Sequence, residues 1–165
     1  MLQNKDNPRD PVCGMQVVPD QNSITYQQMH FAFCSTQCKE RFLANPHLYI
    51  GQPGHKSAAQ EGLEILKHRR LKLDKALTAE QARHVVESIQ AMMGIKSISI
   101  TDNVIEITYD LMQATELQIE SKLAGAGAAL GHGLSERLRH AFEHYIEETE
   151  LASLEVPPGA GGHQH

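Results

Sequence analysis

The sequence predicts an α+β protein made of two small domains and a terminal helix. All three cysteines lie before residue 51, and segments with strand-like and helix-like apolar periods alternate between Leu71 and Leu130. Glycine and proline interrupt the chain between these two regions. We therefore expect a Cys-rich domain over 1–50, a linker or short helix over 51–70, a second domain over 71–132, an amphipathic helix over 133–156 and a disordered Gly/His tail over 157–165.

Composition narrows the classes of function. The 165 residues carry a net charge of −5, which argues against a nucleic-acid partner because phosphate binding needs a basic face. The sequence contains no apolar run of about 18 residues, so we predict no membrane-spanning segment. The first residues lack the apolar core of a secretory signal, so we expect a cytoplasmic protein with reduced thiols. No phosphate loop or hydrolase motif is present, and we predict no enzymatic activity.

The Cys-rich domain is predicted to contain two strands and a helix. Residues 24–27 and 30–33 alternate as strands joined at Gln28-Met29, and Ser35 can cap a helix over 36–44. Cys34 and Cys38 are four residues apart, so both can project to one side of the start of this helix. The helix N-terminus favours negative charge, which predicts thiolates at both positions.

Cys13 completes a candidate metal site. It lies in a turn that is preceded by Pro11 and ends at Gly14, where backbone amides can point at its sulfur. Three thiolates form a soft site that suits Cu(I) or Zn(II). His30 is the predicted fourth ligand, and the thioethers of Met15 and Met29 are the alternatives, although Met15 fits a core position better. Ordinary buried thiols and a redox pair remain as other interpretations.

This region resembles the YHS domain, a member of the TRASH-like group of metal-binding domains. The matching residues are Asp10-Pro11-Val12-Cys13-Gly14-Met15, Tyr26, Phe33-Cys34-Ser35, Cys38, Phe42, Pro46 and Tyr49. The resemblance implies that Cys13, Cys34 and Cys38 are the metal ligands. It also implies a role beside heavy-metal transport ATPases, to which such domains are appended. The chain departs from the family at Gln28, Met29, His30 and Ala32, which leaves the fourth ligand open.

The second domain is predicted to follow the order strand–helix–strand–strand–helix, which fits a ferredoxin-like split βαβ sandwich. The first strand includes Leu71 and Leu73, and two capping boxes, Thr78 with Gln81 and Thr115 with Gln118, start the helices. The first helix is predicted to end at Gly94 and to bury one stripe, formed by Ala82, Val85, Val86, Ile89 and Met93. Two strands, through Ile98 and Ile105, are predicted to be joined by a turn at Asp102-Asn103. The apolar residues of the second helix are Leu117, Ile119 and Leu123. Residues 128–130 are the only candidate for a fourth strand.

This domain resembles the heavy-metal-associated (HMA) domain of copper chaperones and copper ATPases. The resemblance rests on Val86-Glu87-Ser88-Ile89, Gly94-Ile95-Lys96-Ser97-Ile98 and Ile107-Thr108-Tyr109-Asp110. The sulfur ligands of the family's metal loop are replaced here by Leu77, Ala79 and Ala82. The resemblance therefore implies a retained fold without the family's metal site, used for docking or for dimerisation.

The last helix is predicted to be amphipathic. Its apolar stripe consists of Leu138, Ala141, Phe142, Tyr145, Ile146 and Thr149, and we expect it to pack on its own sheet or on a second subunit as a homodimer. His140 and His144 share one face and can chelate a divalent ion, with Glu143, Glu147 and Glu148 as added oxygens. His132 is predicted to be a turn residue, and His163 and His165 end the tail as weak metal scavengers or solvated residues.

Two functions remain after these observations. The first is a copper-handling chaperone, buffer or delivery partner for a metal exporter. The second is an interaction or metal-sensing protein that zinc stabilises, without metal transfer.

Overall fold

The first unit of the chain is assembled around a small aromatic core. A computed structural model describes residues 7–131 and 133–155, with only the backbone of Leu134 and Ser135. The chain divides into two units: the first contains the residues up to Leu63 and those from Leu151 onward, and the second is Glu64–Glu150. Strands β1 (Ile24–Tyr26) and β2 (Met29–Phe31) form an antiparallel hairpin. Helix α1 (Thr36–Ala44) follows, and a single 3-10 turn covers Pro46–Leu48.

The hairpin turn lies one residue earlier than predicted. Gln27 and Gln28 both have positive φ angles, 49° and 64°, so they form the two central residues of a tight hairpin turn. The predicted turn at Gln28-Met29 is therefore wrong by one position, and Phe33 lies beyond the end of β2. Ser35 caps α1 as predicted, since its side chain accepts the backbone N–H of Cys38.

Phe42 is the centre of the first core. It is fully buried, and the rings of Phe31 and Phe33 lie with centroids 5.0 and 5.3 Å from its own. Tyr26 and Tyr49 complete the ring cluster at 5.8 and 6.2 Å. Offset and edge-on ring contacts at these distances stabilise a core that is too small to depend on aliphatic burial alone.

The second unit has the predicted strand–helix–strand–strand–helix order. Its elements are β3 (Leu66–Lys72), α2 (Ala79–Gln90), β4 (Ile95–Thr101), β5 (Val104–Asp110), α3 (Glu116–Gly125) and α4 (Leu134–Leu154). The sheet is antiparallel with order β3-β5-β4, so β5 lies between the two strands that α2 connects. This is the split βαβ arrangement, and the predicted α+β class with a ferredoxin-like βαββα unit is confirmed.

Both predicted capping boxes are present. Thr78 and Gln81 exchange hydrogen bonds at the start of α2, and Thr115 and Gln118 do the same at the start of α3. The buried residues of the two helices are mainly the predicted ones, Val85, Ile89, Ile119 and Leu123. Leu117 departs most from the prediction, because it is 53% exposed and lies off the core stripe of α3, and Ala82, Val86 and Met93 are only half-buried.

Strand β3 begins five residues before its predicted start. Residues 66–70 pair with β5, so the predicted linker or short helix over 51–70 is wrong at its C-terminal end, and the chain between Leu48 and Leu66 forms turns without a helix. The apolar period fails here because the inward positions are cations. Lys67 contacts Glu150 at 2.7 Å, and Arg69 contacts Glu143 at 3.0 Å.

The fourth strand is reduced to one bridge, between Leu73 and Leu130. The backbone N–H groups of Asp74 and Gly131 extend this contact by donating to Ala129 and Lys72 at 2.9 and 3.0 Å. The candidate segment at 128–130 therefore occupies the edge beside β3 without forming a regular strand. His132, the predicted turn residue that follows, lies outside the described residues, as do His163, His165 and the rest of the tail from residue 156.

The apolar stripe of α4 is not covered by the sheet of its own unit. Leu138, Phe142 and Tyr145 are 61–64% exposed, whereas His140 and Glu147 are buried. The expectation that this stripe packs on its own sheet is wrong, because the inward face of α4 pairs with charged groups on β3 and α3 instead. Packing against a second subunit stays a prediction. Among the described residues, no helix is long and apolar enough to cross a membrane.

Candidate metal centre

The three cysteines come together although Cys13 is 21 residues from Cys34. The Cys13 and Cys34 sulfurs lie 3.4 Å apart, and the Cys34 and Cys38 sulfurs 3.6 Å apart. A disulfide bond would require about 2.05 Å, so all three are thiols. Cys38 is buried on the first turn of α1, whereas Cys13 and Cys34 are partly exposed.

A short backbone loop presents Cys13. The backbone N–H of Asp10 donates to Met15 at 2.9 Å and that of Gly14 donates to Asp10 at 2.8 Å. Gly14 has φ +78°, a left-handed conformation that closes the turn at low cost only with glycine. The backbone N–H of Met15 also donates to the Cys13 sulfur, which is the predicted amide-to-sulfur geometry.

Asp10 is the group that the sequence reasoning missed. Its carboxylate is 1% exposed and accepts three backbone N–H groups, those of Val12 at 2.7 Å, Cys13 at 3.2 Å and Cys34 at 2.8 Å. One of its oxygens and the three sulfurs all lie within 4.8 Å of one another. Asp10 therefore fixes the two cysteine-bearing segments in place and also offers an oxygen beside the sulfurs. The available signal was an aspartate just before Pro11, a position typical of side chain-to-backbone turns.

The thiols differ in acidity, and the order differs from the prediction. The Cys38 thiol donates a hydrogen bond to Cys13, which lowers the pKa of Cys13 to about 7 against the opposing effect of burial. Burial raises the pKa of Cys34 to about 11. Donation to Cys13 and burial also raise the pKa of Cys38, and the Asp10 charge adds to this effect. The predicted thiolates at both Cys34 and Cys38 are thus wrong for the metal-free group, which concentrates its negative charge at Cys13.

His30 is not among the residues that the structure gathers around the sulfurs. Its Nε2 lies 2.6 Å from the carbonyl oxygen of Pro19, in an exposed position on β2. Strand β2 ends at Phe31, so Cys34 lies beyond the strand and strand periodicity does not place the two side chains together. The prediction of His30 as fourth ligand is therefore not supported by this geometry, and Asp10 holds the place beside the sulfurs.

The two thioethers considered as ligands are at the surface. Met15 is 49% exposed and Met29 42% exposed, so the expectation of a core position for Met15 is wrong. His140 and His144, the other predicted pair, lie in the second unit against carboxylates of α3.

Comparison with known proteins supports the sequence-based resemblance for the first unit. Residues 9–53 match the family model described as the YHS domain, which confirms that resemblance. A silver exporting P-type ATPase of Salmonella typhimurium is 44% identical over 44 residues. The match covers 26% of this chain and only 5% of the ATPase, so it concerns a small segment of that protein.

Two solved structures resemble part of the chain. The CsoZ metallochaperone has a TM-score of 0.38 at 20% identity, and 41% of this chain is aligned with all of it. Oxidised MerP from Ralstonia metallidurans CH34 has the same TM-score at 14% identity, with 41% of this chain and 96% of MerP covered. A TM-score this low carries no argument about function, and the ferredoxin-like topology of the second unit stands on its own strand order.

Proposed function

We propose that this protein binds one soft heavy-metal ion, copper as Cu(I), through Cys13, Cys34 and Cys38 and passes it to a partner. The proposal rests on the convergence of three thiols, whose sulfurs lie 3.4 Å (Cys13–Cys34) and 3.6 Å (Cys34–Cys38) apart. Two of the three thiols are partly exposed. Soft thiolate ligands select Cu(I) and Zn(II) over hard ions such as Mg²⁺ or Ca²⁺.

The spacing of the sulfurs supports binding of one ion. Tetrahedral ligands at the Zn–S distance of about 2.3 Å lie about 3.8 Å apart. The observed separations of 3.4 and 3.6 Å need to open by only a few tenths of an ångström to reach that value. The three sulfurs are therefore already arranged for the ion before it binds, which limits the entropic cost of ordering these side chains.

The difference in exposure supports a transfer pathway. A thiolate of the partner can approach the ion on the side of Cys13 and Cys34, whereas Cys38 is fully buried. Each exchange forms one metal–sulfur bond as another breaks, and no electron is transferred. We expect the ion to leave Cys38 last, because that sulfur is the least accessible to the partner.

Similarity to a segment of a silver-exporting ATPase supports a transporter as the partner. Silver(I) and Cu(I) are both soft monovalent ions, so a delivery partner or buffer for a heavy-metal exporter fits this donor set. The role requires reduced thiols, which favours a cytoplasmic location, and metal transfer by ligand exchange calls for no enzymatic activity. The second unit, whose loop holds Leu77, Ala79 and Ala82 in place of sulfur ligands, would serve docking or dimerisation.

A second candidate function rests on Asp10. Its oxygen beside three sulfurs can complete a four-coordinate S₃O site, which suits Zn(II), whereas three-coordinate Cu(I) needs no fourth ligand. In that case the ion is structural, and the protein is a zinc-stabilised interaction or metal-sensing protein.

Anaerobic titration of the reduced chain with Cu(I) and with Zn(II), each against a competing chelator, separates the two functions. A carrier gives up Cu(I) to the chelator and stays folded, whereas removal of a structural zinc unfolds the first unit. We expect Cys34→Ser to abolish tight Cu(I) binding. Met15→Leu is the matched control, because it removes an exposed sulfur and leaves the three thiols intact.

Two results would contradict the carrier function. One is Cu(I) binding of undiminished affinity in the Cys13→Ser/Cys34→Ser/Cys38→Ser chain, which would place the ion elsewhere. The other is slowly exchanging zinc together with no measurable Cu(I) affinity, which would establish the zinc-stabilised alternative.

A further inference from the structure

Helices α3 and α4 place two carboxylates and two imidazoles against each other within the second unit. Glu116 and Glu120 are one turn apart on α3, and His140 and His144 are one turn apart on α4. Nδ1 of His140 lies 2.7 Å from Glu120 Oε1 and 3.4 Å from Glu116 Oε1, and Nε2 of His144 lies 2.6 Å from Glu120 Oε2. We refer to these four residues as the Glu/His group.

The Glu/His group is removed from water. Glu116 is 2% exposed and His140 is 9% exposed. The side chains of Glu120 and His144 are 13% and 21% exposed, so these two members keep some access to solvent. Burial of this many ionisable groups is costly unless opposite charges or a bound ion compensate them.

Negative charge is in excess around the Glu/His group. Three further glutamates, Glu136, Glu143 and Glu147, lie beside its two, which makes five. Two arginines face them: Arg69 lies 3.0–3.4 Å from three of the five, and Arg139 lies 3.3 Å from Glu136. Glu147 is already satisfied by the Tyr109 hydroxyl and the backbone N–H of Glu116. Glu120 contacts only the two histidines among the charged groups described, and it therefore lacks a permanent positive partner.

Several buried atoms of this group have no hydrogen bond among the described residues. They include Glu116 Oε2, Glu120 Oε1, His140 Nε2 and His144 Nε2. The 2.6 and 2.7 Å approaches of imidazole nitrogen to carboxylate oxygen are thus close without the alignment of a hydrogen bond. A shared cation brings lone pairs together in this way, because each donor atom points at the ion rather than at its neighbour.

We propose that Glu116, Glu120 and His140, with His144 beside them, bind a divalent transition-metal ion such as Zn²⁺. One ligand atom from each of the first three lies within 4.8 Å of the other two. Imidazole nitrogen and carboxylate oxygen are ligands that zinc accepts at about 2.0–2.2 Å, and facing helices commonly supply them in pairs. Glu136 Oε2, 3.9 Å from His140 Nε2, has the place of an outer carboxylate that orients a histidine ligand.

The donor set separates this site from the cysteine site. Two nitrogens and two hard oxygens disfavour Cu(I) and silver(I), which prefer sulfur. The proposal therefore does not depend on the proposed function of the cysteines, and the two can fail independently.

Zinc titration of the full-length Cys13→Ser/Cys34→Ser/Cys38→Ser chain at pH 7.5 tests the proposal. We expect one Zn²⁺ per chain and a rise in thermal stability. Loss of an outer-shell partner already costs roughly 10–100-fold in metal affinity, so His140→Gln/His144→Gln in the same chain should lose more than about 100-fold. His84→Gln is the matched control, because His84 is an exposed helical histidine outside the Glu/His group.

The unmodified chain provides a second readout if the serine variant does not fold. Imidazole ¹⁵N shifts assigned to His140 and His144 should change on zinc addition, and those of His84 should not. The alternative to a metal ion is that protons on the imidazoles of His140 and His144 form imidazolium–carboxylate pairs with Glu120. Equal zinc affinity with and without His140 and His144, or unchanged ¹⁵N shifts at saturating zinc, would overturn the proposal.

Discussion

Asp10 joins the two segments that carry the cysteines, because one of its carboxylate oxygens accepts the backbone N–H of Cys34 at 2.8 Å. The other oxygen accepts the N–H groups of Val12 and Cys13, which belong to the same segment as Asp10 itself. A buried carboxylate with three such donors is well compensated, and its loss leaves all three donors without a partner.

Asp10→Ala is therefore expected to destabilise the first unit strongly. Each buried N–H left without an acceptor costs about 1–3 kcal/mol, so the loss of free energy of unfolding should be on the order of 3 kcal/mol or more. Chemical denaturation followed by circular dichroism measures this loss. Asp20→Ala is the control, because Asp20 is exposed in the same unit. Equal stability of the two variants would show that the Asp10 hydrogen bonds do not hold the site together.

The acidity of Cys13 predicts selective thiol modification in the metal-free protein. Its pKa of about 7 makes it half thiolate near neutral pH, whereas Cys34, with a pKa of about 11, and Cys38 remain protonated. The thiolate is the reactive form. Alkylation read by peptide mass spectrometry should therefore modify Cys13 first, with a rate that rises through a midpoint near pH 7.

The donor to Cys13 supplies the control for this prediction. Cys38→Ser replaces the thiol that lowers the pKa of Cys13, and a serine hydroxyl is a hydrogen-bond donor of different length and strength. The midpoint should shift in Cys38→Ser and stay in place in Met15→Leu. Preferential alkylation of Cys34 in the unaltered chain would contradict the assignment of the thiolate to Cys13.

Local signals in the sequence predicted most of the elements correctly. Ser35 before α1 and the pairs Thr78–Gln81 and Thr115–Gln118 are caps whose chemistry is complete within four residues, and the structure shows all three. The YHS resemblance also rested on residue types at fixed short spacings. Such features need no knowledge of the tertiary fold, which is why they could be predicted.

Apart from the one-residue shift of the hairpin turn, the main incorrect predictions have a tertiary cause. Arg69 reads as a surface residue until α4, more than 60 residues later, supplies Glu143 and Glu147. The exposed apolar stripe of α4 follows from the same reversal, since its charged face points inward. Asp10 lies beside the sulfurs in place of the predicted His30 for a related reason. Which side chain contacts the sulfurs depends on how the Cys13 turn packs against the segment that follows β2.

Gly94 offers a test of how closely the turn after α2 packs. It has φ +84°, and a Cβ at this position would lie 2.7 Å from Gln113 Cβ. Gly127 has φ +89° but no atom within 4 Å of the corresponding Cβ. Gly127→Ala should therefore cost only the backbone strain, about 1 kcal/mol, and Gly94→Ala should add about 1–3 kcal/mol of overpacking.

Urea denaturation of both glycine variants measures the difference directly. Since both positions have the same left-handed backbone, subtraction removes the strain and leaves the contact with Gln113. Equal losses in the two variants would mean that the turn can move to accept a methyl group. The Gly94 carbonyl would then hold the Asp110 N–H, now 2.8 Å away, less firmly than the structure indicates.

Tyr109 and Glu147 provide the last prediction, which concerns how the charged interior of the second unit is stabilised. The fully buried Tyr109 hydroxyl donates to Glu147, and burial raises the pKa of Tyr109 well above its usual range, so this donor is retained throughout the working pH range. Tyr109→Phe removes the donor and keeps the ring. Arg69 remains 3.3 Å from the same oxygen. We therefore expect a loss of about 1.5–3 kcal/mol in the free energy of unfolding, the contribution of one hydrogen bond to a charged acceptor.

Tyr145→Phe is the matched control for this substitution, because Tyr145 is 64% exposed on the outer face of α4. It should change stability by less than about 0.5 kcal/mol, as surface substitutions usually do. If Tyr109→Phe is equally harmless, Arg69 and the Glu116 N–H suffice to stabilise the Glu147 charge. If it is costly, the inward charged face of α4 depends on a neutral donor as well as on Arg69, since that one guanidinium already serves three glutamates.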